Sequence, residues 1–155
     1  MSSGWSFFLL VLLFIPPTFA VIEWNLRDVH SKLETNARKV EKGAHIEGRS
    51  GQISDQIRRH QKLALERHAK TICETGFNAG HSAASWLKHS RASAIYYGFD
   101  AGRMFHRYPE ENAKLLNELV GKDANGENRV RVTFGDSTKT LPEFVKQNRN
   151  TVLLD

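Results

Sequence analysis

Strands alternate with helices three times in the second half of the chain, and this alternation constrains the fold more than any other feature. The apolar, strand-like segments are 71–73, 94–99 and 129–134. The amphipathic, helix-like segments that follow them are 81–89, 109–120 and 141–147. Such alternation favours parallel strands joined by right-handed crossovers. The sequence therefore predicts an α/β fold with a partial parallel sheet of three strands, to which residues 152–155 could add a fourth.

Two further helices are predicted ahead of this unit, over residues 26–40 and about 54–69. In the first helix, apolar residues recur at steps of three and four, which places them on one face; they are Leu26, Val29, Leu33, Ala37 and Val40. The stripe is too short to predict a coiled coil. Residues 21–70 are thus expected to form a helical stalk or spacer that packs on the main domain or pairs with another chain.

The first 20 residues have the features of a segment that directs export. Residues 7–15 are an unbroken apolar run, Pro16 and Pro17 follow it, and Thr18-Phe19-Ala20 resembles a signal-peptide cleavage site. The alternative is a signal anchor over residues 5–24, with Trp at both ends, although the proline pair argues against a regular spanning helix. Both readings predict the secretory pathway, with the domain either secreted or tethered to the membrane on its lumenal or extracellular side.

Charge and cysteine content exclude some classes of partner and leave others open. The net charge is +5, and the basic excess lies mainly ahead of residue 71. No interleaving of aromatic and basic residues accompanies it, so no nucleic-acid partner is expected.

Cys73 is the only cysteine; it lies in a predicted core strand and is expected to be a buried small hydrophobic residue. The seven histidines show no metal-binding spacing, so no metal site is predicted.

Ligands of parallel α/β sheets bind beyond the carboxyl ends of the strands, so the residues at those ends are the candidate site. Residues 74–80 follow the first strand, Asp100 the second and Asp136 the third. Glycine permits positive φ and close approach of a ligand to the backbone, and Asn78 tolerates the same left-handed geometry. Asp100 is placed to accept hydrogen bonds from ribose hydroxyls, as carboxylates do at this position of dinucleotide folds. Asp136 could accept one from an adenine amino group.

The spacing of the glycines discriminates between nucleotides. Dinucleotide-binding folds carry G-x-G-x-x-G, whereas here Glu74-x-Gly76 is followed by three residues and Gly80, with Asn78 in place of the second glycine. This spacing argues against a pyrophosphate and favours a smaller nucleotide. No G-K-[ST] follows, which excludes a P-loop. His81 is expected to pack or be solvated in the first turn of the next helix, and no catalytic residue can be named.

The segment Ile72-Cys73-Glu74-Thr75-Gly76-Phe77-Asn78-Ala79-Gly80-His81-Ser82-Ala83 resembles motif I of class I methyltransferases that use S-adenosyl-L-methionine (SAM). It is most similar to a subset that reads E-x-G-F-N-A-G-H-S. Residues 97–100 and 134–137 resemble the endings of that subset's second and third strands. The resemblance implies SAM as cofactor and a Rossmann-like fold. The cofactor-binding residues that it implies are Glu74, Gly76, Phe77, Asn78, Gly80, Asp100, Asp136 and Ser137, with the last two beside the adenine.

The resemblance covers roughly residues 70–145. The chain also departs from the family, and these departures are as informative as the resemblance. A class I sheet has seven strands, and the subset continues after its fourth strand with an acidic residue and a Gly-Gly-His segment. Here Asp155 is the last residue. Residues 71–155 are therefore expected to be a truncated SAM-binding domain, weakly active or inactive, whose methyl acceptor is unknown.

Two alternatives stay open from the sequence. One is a non-catalytic, secreted or membrane-tethered interaction module that retains a remnant of the methyltransferase fold. The other is a different nucleotide-binding Rossmann protein. An oligomer could form through residues 26–40 or through the open edge of the sheet, since unpaired strand edges invite association.

Overall fold

The computed structural model describes residues 23–46, 53–66, 69–123 and 125–148. The predicted signal segment in the first 20 residues and the predicted fourth strand at 152–155 lie outside these residues. No helix within the described ranges is long and apolar enough to cross a membrane.

Eight regular elements build the described fold. They are helix α1 (Leu26–Val40), helix α2 (Ser54–Glu66), strand β1 (Thr71–Thr75), helix α3 (His81–His89), strand β2 (Ile95–Asp100), helix α4 (Tyr108–Val120), strand β3 (Val130–Phe134) and helix α5 (Ser137–Gln147). A short 3-10 turn spans Gly102–Met104. The three strands pair in parallel in the order β1-β2-β3. The predicted α/β fold, with a partial parallel sheet preceded by helices, is confirmed.

Helices α1, α3 and α4 pack together with one face of the sheet to form the main core. The α1 side chains Val29 and Leu33 are 2% and 0% exposed and belong to the same cluster as Ile72, Tyr96 and Leu116. Burying one such side chain stabilises a fold by about 1.5–3 kcal/mol. The apolar stripe of α1 is thus covered by the chain's own helices, and α1 is part of the domain core.

The opposite face of the sheet is only partly covered. Helix α5 lies on it through Phe144, whose ring centroid is 4.9 Å from that of Tyr97 and 5.2 Å from that of Phe99. The prediction that Cys73 is buried is wrong, because its side chain is exposed. The cause is the pleat: Ile72 turns to the core face, so Cys73 turns to the other face. There α5 packs mainly on β2 and β3.

Two predicted boundaries move in the structure. Strand β1 continues to Thr75, so Glu74 lies within the strand. Helix α5 begins at Ser137, four residues earlier than predicted, because the Asp136 side chain accepts a hydrogen bond from the Thr138 N–H at 3.0 Å and caps the helix.

Three half-buried histidines of the helical layer, His30, His60 and His89, lead us to expect a loss of stability in acid. Burial lowers the pKa of His30, His60 and His89 below the ordinary value of 6.5. Because these pKa values are lower in the folded state, the unfolded chain binds more protons than the folded chain as the pH falls through 6.5. The free energy of unfolding is therefore highest above pH 6.5 and decreases below it. We expect the melting midpoint, followed by circular dichroism, to fall by a few degrees between about pH 7.5 and about pH 5.5.

His60→Phe is the matched variant for this prediction. The His60 ring stacks on Trp86 with 4.4 Å between centroids, and a phenyl ring keeps the stack but cannot take up a proton. Its midpoint should fall less steeply with acid than that of the wild-type chain. Parallel pH profiles for the two proteins would contradict a contribution from His60.

Candidate functional site

The three strand ends that carry the predicted site residues meet at one edge of the sheet. The Gly76 N–H donates to the Phe99 carbonyl at 2.7 Å, which joins the loop after β1 to the end of β2. The Gly135 N–H donates to the Asp100 carbonyl at 2.8 Å, which joins the loop after β3 to the same strand. These two hydrogen bonds make the three loops one continuous surface.

The glycine turn, residues 76–80, has an open side and a packed side. Gly76, Asn78 and Gly80 have φ of +85°, +50° and +85°, a left-handed region that favours glycine and tolerates asparagine. A Cβ at Gly76 would meet nothing within 4 Å. A Cβ at Gly80 would lie 2.8 Å from Cζ of the buried Phe77 ring. A ligand can therefore approach the backbone at Gly76, while Gly80 is closed by the core.

Asp100 binds the glycine turn directly. Its Oδ2 accepts from the Asn78 N–H at 2.8 Å, and its Oδ1 accepts from the Gly102 N–H at 2.7 Å. A carboxylate oxygen has two lone pairs, so each oxygen can accept a second hydrogen bond. The side chain is half-buried. The last residue of β2 therefore offers acceptors beside the open side of the turn.

Glu74 is held from the core side. Its Oε2 accepts from the Ser82 hydroxyl and from the Tyr96 hydroxyl, each at 2.7 Å. Burial, with the neighbouring Glu74 carboxylate as a further cause, raises the pKa of Tyr96 well above its ordinary range. Tyr96 therefore stays protonated and stays a donor. Part of the role of Glu74 is to join β1, β2 and α3 beneath the turn.

The remaining predicted site residues take other positions. Oδ1 of Asp136 accepts from both the Thr138 hydroxyl, at 2.6 Å, and the Thr138 N–H, and these bonds lower the pKa of the Asp136 carboxyl. Ser137 is the first residue of α5. Phe77 turns its ring into the core, where it is 1% exposed. The structure thus brings Glu74, Gly76, Asn78, Gly80 and Asp100 together, whereas the Phe77 ring lies in the core and packs against Gly80.

Two side chains of α4 that were not predicted from the sequence contact the turn. The Tyr108 hydroxyl donates to Oδ1 of Asn78 at 2.7 Å, and Nδ2 of Asn112 donates to the Ala79 carbonyl at 3.0 Å. Both residues are 0% exposed. A signal was available for Asn112, since it lies at helical spacing from Leu116 and Val120 on the apolar face of α4. A polar residue in such a stripe requires buried partners.

Within the described ranges, no group of three or more His, Cys, Asp or Glu side chains could hold a metal ion.

No protein-family model and no curated protein matches the chain. Among solved structures, the chain is similar to TomG, an O-methyltransferase of Streptomyces achromogenes solved in complex with SAM, with a TM-score of 0.53 and 18% identity over 80% of this chain and 49% of that one. It is also similar to the Podospora anserina methyltransferase PaMTH1, solved with S-adenosylhomocysteine (SAH) bound, with a TM-score of 0.50 and 19% identity over 76% and 44% of the two chains.

A third similar structure is a Klebsiella pneumoniae protein assigned provisionally to the O-methyltransferases, with a TM-score of 0.53 and 20% identity over 79% of this chain and 49% of that one. The chain spans about half the length of these structures. At such identities the likeness concerns the fold: this chain has the Rossmann-like α/β fold found in SAM-dependent methyltransferases.

Proposed function

We propose that this chain binds SAM at the glycine turn, as the cofactor-binding part of a methyltransferase-like protein. One observation carries the proposal: the Asp100 carboxylate holds the left-handed Asn78 N–H at 2.8 Å, next to the open backbone at Gly76. The motif resemblance of residues 72–83 and the fold shared with methyltransferases solved with SAM or SAH support it.

Four of the predicted residues then have a direct physical role toward the cofactor. The Asp100 carboxylate accepts hydrogen bonds from the ribose hydroxyls. It uses the lone pairs that are not occupied by the N–H groups of Asn78 and Gly102. Gly76 lets the ligand approach the backbone where a side chain would intrude. Asp136 and Ser137 border the adenine from the loop after β3. Bound SAM would supply an activated methyl group on its sulfonium.

Transfer of that methyl group requires an acceptor held in line with the sulfonium. No residue of the described ranges is assigned to acceptor binding or to proton transfer in this proposal. We therefore propose that the chain alone transfers methyl groups weakly or not at all, and that binding of the cofactor is the property to measure first.

Titration calorimetry on the full chain tests the proposal. We expect saturable binding of SAH and SAM, one molecule per chain, and no binding of NAD. A chain that is folded by circular dichroism but binds none of the three would contradict the proposal and favour a non-catalytic interaction module. Binding of NAD in place of SAH would also contradict it, and would favour another nucleotide-binding Rossmann protein.

A further inference from the structure

Two buried side chains of α4, one helical turn apart, hold consecutive residues of the glycine turn. Tyr108 bonds the side chain of Asn78, and Asn112 bonds the carbonyl of Ala79. Both lie on the packed side of the turn, whereas the open side belongs to Gly76. Their contacts are therefore with the turn itself and leave its open side free for a ligand.

Asn112 also connects the turn to α1. Its Nδ2 donates a second hydrogen bond to the Leu33 carbonyl at 3.0 Å, and its Oδ1 accepts from Nδ2 of Asn36 at 2.9 Å. One side-chain amide thus joins α1, α4 and the turn. Because a buried amide without partners is destabilising, these three hydrogen bonds fix the orientation of the Asn112 side chain.

The turn needs such support because Asn78 has a left-handed backbone. That conformation is strained for a residue other than glycine, although asparagine tolerates it better than most. It also aims the Asn78 N–H at Asp100, the residue with acceptors for the ligand. If the turn relaxed, Asp100 would lose one of the two donors that orient its carboxylate. The hydrogen bond from Tyr108 helps to offset this strain.

We propose that Tyr108 and Asn112 are positioning residues for the nucleotide, which hold the glycine turn and, through it, Asp100 in the binding geometry before the ligand arrives. The inference rests on the proposed SAM site. A preorganised site avoids the cost of ordering loop residues on binding. Helix α1 then also supports the nucleotide site, because two of the hydrogen bonds of Asn112 are made with residues of α1.

Tyr108→Phe tests the proposal, since it removes one hydroxyl and keeps the ring in the core. Calorimetry on the full chain, well below the melting temperature, should show SAH affinity reduced about five- to tenfold, which corresponds to one hydrogen bond. Tyr97→Phe is the matched control: it removes a tyrosine hydroxyl from β2, on the face of the sheet that α5 covers, and this variant should bind SAH as the wild-type chain does.

A double-mutant cycle guards against an indirect effect on folding. Asn78→Gly removes the partner of the Tyr108 hydroxyl and tolerates the left-handed backbone. If the hydrogen bond between Tyr108 and Asn78 supports SAH binding, Tyr108→Phe should weaken that binding far less in the Asn78→Gly background than in the wild-type background. Equal SAH affinity of Tyr108→Phe and wild type, or strictly additive effects in the cycle, would overturn the positioning role. Failure of the wild-type chain to bind SAH would instead overturn the proposed function.

Discussion

Replacing Asp100 by asparagine should weaken SAH binding by on the order of 100-fold, because hydrogen bonds to a charged acceptor contribute about 1.5–3 kcal/mol each. An amide has one oxygen, which cannot serve the Asn78 N–H, the Gly102 N–H and the ribose hydroxyls together. Its NH₂ group would moreover face one of those backbone donors. Calorimetric titration of the variant with SAH measures the effect.

Asp123→Asn is the matched control for this change. Oδ1 of Asp123 accepts from the N–H groups of Asn125 and Glu127 at 2.8 and 2.9 Å, so this carboxylate also organises a loop, but in the segment between α4 and β3. We expect Asp123→Asn to lower the melting midpoint and to leave SAH affinity unchanged. Equal losses of affinity in the two variants would mean that Asp100 acts only through folding.

Gly80→Ala should lower the free energy of unfolding by about 2–5 kcal/mol, the sum of a left-handed alanine and an overpacked core. The added methyl group would lie 2.8 Å from Cζ and 3.1 Å from Cε2 of Phe77. The Phe77 ring is 1% exposed, and close packing in the core opposes its displacement. Urea denaturation followed by circular dichroism measures the loss.

Gly76→Ala separates strain from steric conflict, because Gly76 has the same φ of +85° and no neighbour within 4 Å of an added Cβ. Its stability should fall only by the roughly 1–2 kcal/mol of left-handed strain. The methyl group would, however, project into the space where the nucleotide is proposed to lie, so SAH binding should be lost. The opposite ranking, with Gly76→Ala less stable than Gly80→Ala, would show that the open and packed sides of the turn are reversed.

The elements of this fold could be predicted because each has a local cause in the sequence. The stripe through Val29, Leu33 and Ala37 has helical periodicity, and all three residues are buried in α1. Pro109 and Gly121 mark the two ends of α4, as their backbone preferences require. Alternation of strands and helices then fixes the parallel sheet, since crossover connections have one hand.

The contacts around the glycine turn could not be predicted because they join residues far apart in the chain. Asn112 meets Leu33 across 79 positions, and Tyr108 meets Asn78 across 30. The exposure of Cys73 depends on how far α5 extends over the sheet, which no local pattern records. The capping role of Asp136 was not predicted, although an aspartate ahead of Ser and Thr is also typical of a helix N-cap.

A crystal structure of the chain with SAH would test the proposed cofactor site directly. We expect ribose hydroxyl oxygens within hydrogen-bonding distance of the Asp100 carboxylate, with the ligand running past the backbone of Gly76 and the Asn78–Tyr108 hydrogen bond intact. A nucleoside bound elsewhere on the molecule, or side chains of the chain itself filling the space beside Gly76, would contradict it.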